Sequence, residues 1–592
     1  LQSFPTRRSS DLMDSDLRAF YEYTSTAQEA WDGPAAISLT DGRYIGCVLD
    51  RNGLRPSKYI ITKDDRIIIT SEYGTIDIDE ENIIERGRLS GGQMIGLDLK
   101  HGVVLKDKDI NNYLKSSQNY SKWLSHDMEY LQEYIEDSFL DISEYKFDSL
   151  EKKQKLFNIT YEVIDQVIEP MTKDGKEAVG SMGDDTPLAA FSTVQRNFTD
   201  FFRQKFAQVT NPPIDPYREK VVMSLNTGFG RIHNILEEDA VYAKRLKSSS
   251  PILMKENFDI LKSFGDKTHP RYDEYYKNKT FSTTFTKDLE KSLKALGDEV
   301  VKSVKNGVSI VILDDRAVDE NSKIIPMAMA VGYINQYLTS FKLRHNVSIV
   351  AVTGEIYDAH SAAVLIGYGA DAIYQYMLYS SIVALNDRKG LSVYEMQQKL
   401  KNSQKAINAG ILKIMSKMGI STIASYRNSG LFDILGLNDK IVDECFTGSH
   451  SDLSGLGYAD IEARLEKAHF NAFYDNNHVL PLNLGGIYKY IDGGEYHDYG
   501  PAVTKAMHNK QATDFDSITD FTALKDMVKN RKNKMIRDFF EFSSDKKSID
   551  INEVESKEAI FKRFASAAMS LGSISPEAHE ALATAMNTIG GQ

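Results

Sequence analysis

Short apolar runs separated by turn residues dominate the chain up to about residue 115. Residues 36–39 and 44–49 flank Asp41-Gly42, and residues 59–61 and 67–70 flank a Lys-Asp-Asp turn. Between these two pairs stands Asn52-Gly53, a dipeptide that tolerates positive φ and closes tight turns. Runs of this length and composition predict strands. We therefore predict a β-rich region built as a meander of hairpins.

The next stretch, to about residue 205, has a helical pattern. Phe157, Tyr161, Ile164 and Ile168 recur at helical spacing. Glu169-Pro170 is predicted to stop this helix, because proline cannot continue it.

Longer apolar runs, at residues 308–313 and 347–352, indicate a second kind of domain. Both are apolar at nearly every position and are followed by acidic residues, which suits strands covered on both faces of a parallel sheet. Residues 370–376 and 420–425 are predicted as further strands, and residues 374–400 as partly helical. The pattern predicts an α/β domain around a mainly parallel sheet, with boundaries at about 206–508.

The end of the chain predicts one strand, one turn and one helix. Residues 567–571 are predicted as the strand and 572–574 as the turn. Ser575 is expected to be the N-cap of a helix that begins with Pro576. The charged stretch before this unit, residues 509–560, is predicted to be a partly helical linker.

Composition narrows the function classes. The 592 residues suggest about three or four domains, and a net charge of −13 argues against nucleic acid as the main partner. Cys47 and Cys445 can supply neither a disulfide framework nor a C-x-x-C metal site. No apolar run is long enough to span a bilayer, so we expect a cytoplasmic protein without membrane contact. Residues 1–12 resemble translated sequencing-adapter read-through and are set aside as a non-native leader.

A few polar and glycine-rich positions are candidates for chemistry. Glu355, Asp358 and His360 follow a predicted strand, where α/β folds place ligand sites. An acid–base or metal site is one interpretation of the three, and helix caps with surface polar contacts are the other. The glycine-rich stretch that begins at Gly180 lacks the P-loop pattern and is predicted to be a linker. Gly367-Tyr368-Gly369 is too short for a dinucleotide fingerprint.

Three segments of the chain resemble a known protein family. The segment WDGPAAISLTDGRYIGCVLDRNGLRPSKYIIT, the following SEYGTIDI and the later RGRLSGGQMIGLDL together resemble the end of the class II glutamine amidotransferase domain of glutamate synthase. The resemblance implies a partial N-terminal-nucleophile αββα sandwich, the C-terminal part of that domain, for residues 13–205, counted with a helical linker. In that family the nucleophile is a cysteine at the first position. Residue 1 here is Leu, so no catalytic residue is expected in this chain.

Later segments resemble the same family in the same order. NPPIDPYREKVVMSL, TGEIYDAHSAAVLIGYGADAIYQY and LGGIYKYIDGGEYHDYGPAV are similar to the glutamate synthase central domain. FKRFASAAMSLGSISPEAHEALATAMNTIGGQ, at 561–592, resembles the first βα unit of its FMN-binding (β/α)8 barrel. In such barrels the site gathers at the carboxyl ends of the strands. The resemblance therefore implies that five residues face the flavin and the 2-oxoglutarate site: Met569, Ser570, Leu571, Gly572 and Ser573.

The resemblance implies an oxidoreductase that makes L-glutamate from L-glutamine and 2-oxoglutarate. Glutamine is hydrolysed, ammonia passes internally, and reduced FMN reduces the imine; an iron–sulfur cluster and an electron-donating small subunit or ferredoxin complete the parent protein. We expect this chain to be an internal fragment that binds no FMN, cluster or metal and is itself inactive. Two alternatives stay open: a stand-alone α/β ligand-binding or regulatory module, and another class II amidotransferase fused to a different synthase.

Cys47 is expected to have a structural role. It lies inside the predicted strand 44–49, where a cysteine commonly acts as a small buried hydrophobe. Met415 and Met418, close to Ile414, are likewise predicted to be core residues.

Overall fold

The computed structural model describes residues 13–134, 142–147, 149–180, 183–205, 213–475, 481–508, 522–531, 533–568 and 570–592. The chain divides into two compact units, Leu1–Lys534 and Met535–Gln592. Among the described residues, no helix is long and apolar enough to cross a membrane.

Two antiparallel sheets form the first part of the first unit. Their strands are β1 (Ala36–Thr40), β2 (Tyr44–Leu49), β3 (Lys58–Thr62), β4 (Ile67–Thr70), β5 (Ile83–Arg88), β6 (Met94–Asp98) and β7 (Val103–Lys106). One sheet has the order β1-β2-β6-β7 and the other the order β4-β3-β5. The predicted hairpins are confirmed: β1 pairs with β2 and β3 with β4, and Gly42 and Gly53 adopt the positive φ that their turns require.

A small core lies between these two sheets. Cys47, Leu49 and Ile95 from one sheet pack with Leu89 and with the partly buried Tyr59. Cys47 is 3% exposed, so its predicted role as a buried hydrophobe is confirmed. The region is not a closed, fully paired sandwich, because β1, β7, β4 and β5 are edge strands.

The helical stretch that follows contradicts one prediction. Helical structure continues through Glu169-Pro170, from Tyr161–Val163 through a π-helical turn at Ile164–Ile168 into Glu169–Asp174. The wider turn accommodates Pro170, whose ring would clash with a carbonyl of a regular α-helix. Gly175, with φ +62°, ends the helix instead.

The remaining strands of the first unit build several further sheets. They are β8 (Met128–Tyr130), β9 (Phe202–Gln204), β10 (Thr227–Phe229), β11 (Arg245–Ser248), β12 (Asn278–Ser282), β13 (Thr284–Phe285), β14 (Ile310–Asp314), β15 (Lys323–Ile324), β16 (Ser348–Val352), β17 (Ala372–Tyr374), β18 (Phe432–Leu437) and β19 (His450–Leu456). Their sheet orders are β12-β14-β16-β17, β10-β11-β8, β19-β18-β9 and β13-β15.

Helices surround these sheets. The α-helices of the first unit are Ser15–Thr24, Asp107–Ser116, Tyr120–Asp127, Leu150–Leu156, Tyr161–Val163, Glu169–Asp174, Pro216–Val222, Lys255–Ser263, Leu289–Lys305, Met327–Ser340, Ala359–Gly367, Tyr376–Asp387, Val393–Lys417, Ile423–Tyr426, Asp439–Cys445, Tyr458–Phe473, Pro501–His508 and Thr522–Lys529. Short 3-10 helices are Glu80–Asn82, Leu131–Tyr134, Ile142–Tyr145, Phe198–Phe201, Ala240–Ala243, Glu274–Tyr276 and Arg344–Asn346.

The sheet β12-β14-β16-β17 is parallel throughout and forms the centre of the α/β core. Every side chain of β14 and β16 is buried, which explains why both strands are apolar at most positions. Helix Met327–Ser340 packs against this sheet and against Asp439–Cys445. A Cβ on Gly332 would lie 2.1 Å from the carbonyl oxygen of Cys445, so only glycine permits this crossing.

The prediction of a strand at 420–425 is wrong. Thr422 makes one isolated bridge to Ser224, and a short helix, Ile423–Tyr426, begins directly after it. Ile420, Ser421, Ile423 and Tyr426 are buried here. Ile423 and Tyr426 belong to the helix and are three residues apart, which places both on one face of it. Met415 is buried, as predicted, and Met418 and Ile414 pack against the same core.

The second unit contains helices and turns in its described part. Its helices are Ile536–Phe539 and Ile551–Glu553, both 3-10, and Lys557–Phe561 and Pro576–Ile589, both α. Ser575 caps the last helix by accepting a hydrogen bond from the Ala578 N–H, and Pro576 is its first residue, as predicted. The predicted strand at 567–571 is wrong for the described residues, because no other strand of this unit is present there to pair with it.

Candidate functional site

A cavity of about 720 Å³ lies in the first unit, within the size range of small-molecule sites. Four segments surround it: residues 156–160, residues 192–201, the loop 482–494 and the helix Tyr458–Phe473. Glu355, which follows β16, also lines it.

The loop 482–494 is held in place by one carboxylate. Glu162, 5% exposed, accepts four backbone N–H groups from consecutive residues of the loop. Its Oε2 accepts from Gly486 and Ile487 at 2.7 Å each, and its Oε1 from Tyr488 at 3.0 Å and Lys489 at 2.8 Å. Amides that converge in this way form a nest for an anion. The anion here belongs to the chain itself, so the arrangement fixes the cavity wall rather than a ligand.

Buried ionic contacts complete the wall next to this loop. Arg196 Nε donates to Asp200 at 2.8 Å, and its Nη1 lies 3.3 Å from the Glu495 carboxylate. The Ser192 hydroxyl donates to the same carboxylate at 2.6 Å. His497 contacts Asp185 at 2.7 Å through Nδ1. Asp185 therefore has a structural contact, in agreement with the prediction that this glycine-rich stretch is a linker.

Two polar residues of the cavity lining carry hydrogen-bond donors. Asn158 is 5% exposed, and its Nδ2 has no acceptor in the described part of the chain. Arg464 donates to the carbonyl oxygens of Ala189 and Ala190, at 2.8 and 2.9 Å, and its guanidinium lies 6.0 Å from the centre of the Phe201 ring. Neither residue was identified from the sequence, because nothing in the chain around them marks them as neighbours.

The three polar residues predicted as a group have separate roles. Asp358 caps the helix Ala359–Gly367 by accepting the Ser361 N–H at 2.7 Å. His360 contacts the Thr199 carbonyl oxygen through Nε2. Within the described ranges, no cluster of three or more such side chains could hold a metal. The interpretation as caps and polar contacts is therefore confirmed for Asp358 and His360, and Glu355 alone faces the cavity.

Burial raises the pKa of Glu355 to about 8. The Met327 N–H donates to its Oε2 at 2.5 Å. Asp315, buried nearby, has its pKa raised to about 7 by the same cause. Both side chains therefore hold their proton at a pH where a carboxyl in water has lost it.

The pH dependence of stability tests this pKa. The folded chain keeps a proton on Glu355 that the unfolded chain releases above about pH 4.5. The contribution of Glu355 to the free energy of unfolding is therefore fully present below that pH. This contribution decreases as pH rises towards about 8, by up to about 1.4 kcal/mol per pH unit. We expect Glu355→Gln, which is permanently neutral, to gain in unfolding temperature relative to the wild type between about pH 5.5 and about pH 8. An equal gain in the exposed Glu299→Gln control would contradict the assignment.

The motif Asp50–Pro56 has a structural role. Asp50 accepts N–H groups from Asn52, Leu54 and Arg55 at 3.0 to 3.3 Å, which closes the turn. Arg51 in turn donates to Asp32 at 2.9 Å. The other carboxylate oxygen of Asp32 accepts the Ser421 N–H at 2.8 Å, so this carboxylate joins the antiparallel sheets to the α/β core.

The residues predicted to face a flavin lie in the second unit. Ser573 donates to the Ser570 carbonyl oxygen through its N–H at 3.0 Å and its hydroxyl at 2.7 Å. Leu571 and Gly572 lie in the same exposed turn, and Met569 lies outside the described residues. The turn is not enclosed by the described residues of its unit.

Fold and site together define a multidomain α/β protein, in which two antiparallel sheets are joined to a parallel-sheet core with a cavity. Sequence models of three families match in order: "Glutamine amidotransferases class-II" at residues 5–123, "Glutamate synthase central domain" at 152–438 and "Conserved region in glutamate synthase" at 497–592. The matches assign residues 152–438 and 497–592 to regions of glutamate synthase, and residues 5–123 to a class II glutamine amidotransferase domain.

Individual relatives agree with this assignment. The "Glutamate synthase [NADPH] large chain" of Bacillus subtilis (strain 168) is 38% identical over 98% of this chain and 37% of the relative. The same-named chain of Azospirillum brasilense is 38% identical over 98% of this chain and 38% of its own length. The chain therefore spans little more than a third of the length of these relatives. A solved flavocytochrome b2 matches with a TM-score of 0.21 at 15% identity, covering 32% of this chain and 44% of that one, a similarity too low to support a statement about fold.

Proposed function

We propose that this chain acts as part of a glutamate synthase, which makes L-glutamate from L-glutamine and 2-oxoglutarate. The observation that carries the proposal is the match to three glutamate synthase regions in order, along nearly the whole chain. In this proposal the amidotransferase domain is an N-terminal-nucleophile sandwich. Ammonia released there passes internally to the synthase domain, where it is incorporated by FMN-dependent reductive amination.

The residues of this chain have a supporting role in that reaction. Asp32 ties the antiparallel sheets to the α/β core, and Glu162 ties the loop 482–494 to the same core. Such contacts would hold the two reaction sites of the whole protein at a constant separation. Electrons would come from a small subunit or from ferredoxin, and we place the protein in the cytoplasm.

Neither cysteine of the chain has the properties of a nucleophile. Cys445 is fully buried next to the Tyr458 hydroxyl, and burial raises the pKa of its thiol to about 12. Cys47 is buried between the two sheets. A reactive cysteine needs a lowered pKa and access, and an iron–sulfur cluster needs several thiolates together. The residues present fit neither requirement.

The described residues also do not form an FMN pocket. Ser570–Ser573 are exposed and lie in a turn, whereas flavin sites in (β/α)8 barrels use several strands and a phosphate-binding loop. We propose that Met569 to Ser573 contribute to such a site in the whole protein.

A chimera tests the proposed function. Residues 13–592 would replace the matching segment of the Bacillus subtilis large chain. We expect NADPH oxidation that depends on both glutamine and 2-oxoglutarate.

The isolated chain is expected to be inactive. Its glutaminase rate should be lower by several orders of magnitude, which is the usual cost of losing a nucleophile. It should also retain no flavin after FMN addition and desalting. Stoichiometric flavin on the isolated chain, or glutaminase turnover abolished by Cys47→Ala, would show that the sites are misplaced. A folded but inactive chimera would contradict the function.

A further inference from the structure

We propose that the cavity in the first unit binds a small monocarboxylic acid with an apolar body. The proposal rests on the cavity lining alone and not on the proposed function.

Two cationic side chains of the helix Tyr458–Phe473, Arg464 and Lys467, line the cavity. Arg464 keeps guanidinium N–H groups beyond the two that bond to Ala189 and Ala190. Lys467, one turn further along the same helix, lies at the exposed rim. These donors favour a ligand group that only accepts hydrogen bonds.

The charges at the cavity favour an anion. Arg196 is compensated by Asp200 and Glu495. In the described part of the chain, neither Arg464 nor Lys467 forms an ion pair with a carboxylate. Asp460 acts on Arg464 through space from one turn away. Glu355, the carboxyl that lines the cavity, is enclosed and keeps its proton at neutral pH. A carboxylate would therefore meet two cations and no competing anion on this wall.

Much of the remaining lining is apolar. Side chains of six residues provide it: Leu156, Phe198, Phe201, Ile461, Leu465 and Leu482. Apolar lining with a few placed polar groups is the usual composition of a small-molecule site. The Arg464 guanidinium lies 6.0 Å from the centre of the Phe201 ring, so a cationic and an apolar lining group are neighbours. A ligand with one carboxylate and a hydrocarbon body matches this composition.

Binding of 3-phenylpropionate to the purified chain tests the site, with 3-phenylpropanamide as its neutral counterpart. We expect saturable one-to-one binding of the acid by isothermal titration calorimetry. The amide should bind at least about tenfold more weakly, because a charge-assisted hydrogen bond is replaced by a neutral one. Arg464→Gln should weaken the binding of the acid by a similar factor.

Arg271→Gln is the matched control for the arginine variant. Arg271 also lies over an aromatic ring, that of Tyr134 at 5.4 Å, but it does not line the cavity. The Arg271→Gln variant should bind the acid with the same affinity as the wild type. Thermal melts of all variants should confirm that they are folded. Absence of binding at millimolar acid would overturn the proposal. So would equal binding of acid and amide, or binding that Arg464→Gln leaves unchanged in a folded chain. The chimera assay is independent of all these results.

Discussion

Replacing Glu162 by glutamine should lower the free energy of unfolding by about 3–5 kcal/mol, the cost of disrupting a buried charged group with hydrogen-bonded partners. The substitution keeps the shape of the side chain but turns one oxygen into an NH2 group. Two of the four N–H donors from residues 486–489 would then face another donor. The measurement is urea unfolding, together with hydrogen exchange of these amides, which should lose protection.

The matched control for this prediction is Glu290→Gln. Glu290 is exposed and forms a surface ion pair with Lys440 at 2.6 Å, so its replacement should cost at most about 1 kcal/mol. If Glu162→Gln proved as mild as this control, with amides 486–489 still protected, the carboxylate would not be what holds the loop.

Asp371→Asn should destabilise the α/β core by a similar amount, about 3–5 kcal/mol, because it leaves buried arginines without their counter-charge. Asp371 is 4% exposed and accepts from the Ile349 N–H at 2.7 Å. Arg344 Nη2 donates to it at 3.2 Å, and Arg427 pairs with its other oxygen. Arg245, fully buried, is compensated only through space by this carboxylate and otherwise bonds to backbone carbonyls. Urea and thermal unfolding would measure the loss.

A double variant separates the charge effect from other causes. Asp371→Asn combined with Arg427→Gln removes one uncompensated cation as well. It should therefore be less destabilised than the sum of the two single variants, by at least about 0.5 kcal/mol. The control Asp298→Asn breaks an exposed pair with Lys294 and should cost at most about 1 kcal/mol. Simple additivity of the two core substitutions would argue against a coupled charge cluster.

Both predictions concern contacts that join distant parts of the chain. Glu162 and Gly486 are 324 residues apart, and Asp371 brings together residues from β16, from the turn before it and from the segment after Ile423–Tyr426. The two clusters explain how a chain with several small sheets keeps one large core. They also explain why the cavity wall is fixed although the loop 482–494 has no regular secondary structure.

The sequence by itself determined the elements whose signals are local. The hairpins β1–β2 and β3–β4 depend on adjacent strands and on turn residues such as Gly42. The buried strands β14 and β16 are visible as uninterrupted apolar runs, and the Ser575 cap lies next to the helix that it begins. The order of the quoted segments was also sufficient to predict the resemblance to glutamate synthase that the three family models show.

Tertiary structure decided whatever depends on partners remote in sequence. Pro170 signals a helix end by its own chemistry, yet the π turn before it lets the helix continue to Asp174. The run at 420–425 contains strand-forming residues, but a helix begins at Ile423 and buries Ile423 and Tyr426 in the core. Asn158 and Arg464 line one cavity although 306 residues separate them in the printed sequence. Packing and long-range hydrogen bonds assemble such sites, and neither leaves a periodic pattern in the residues around each member.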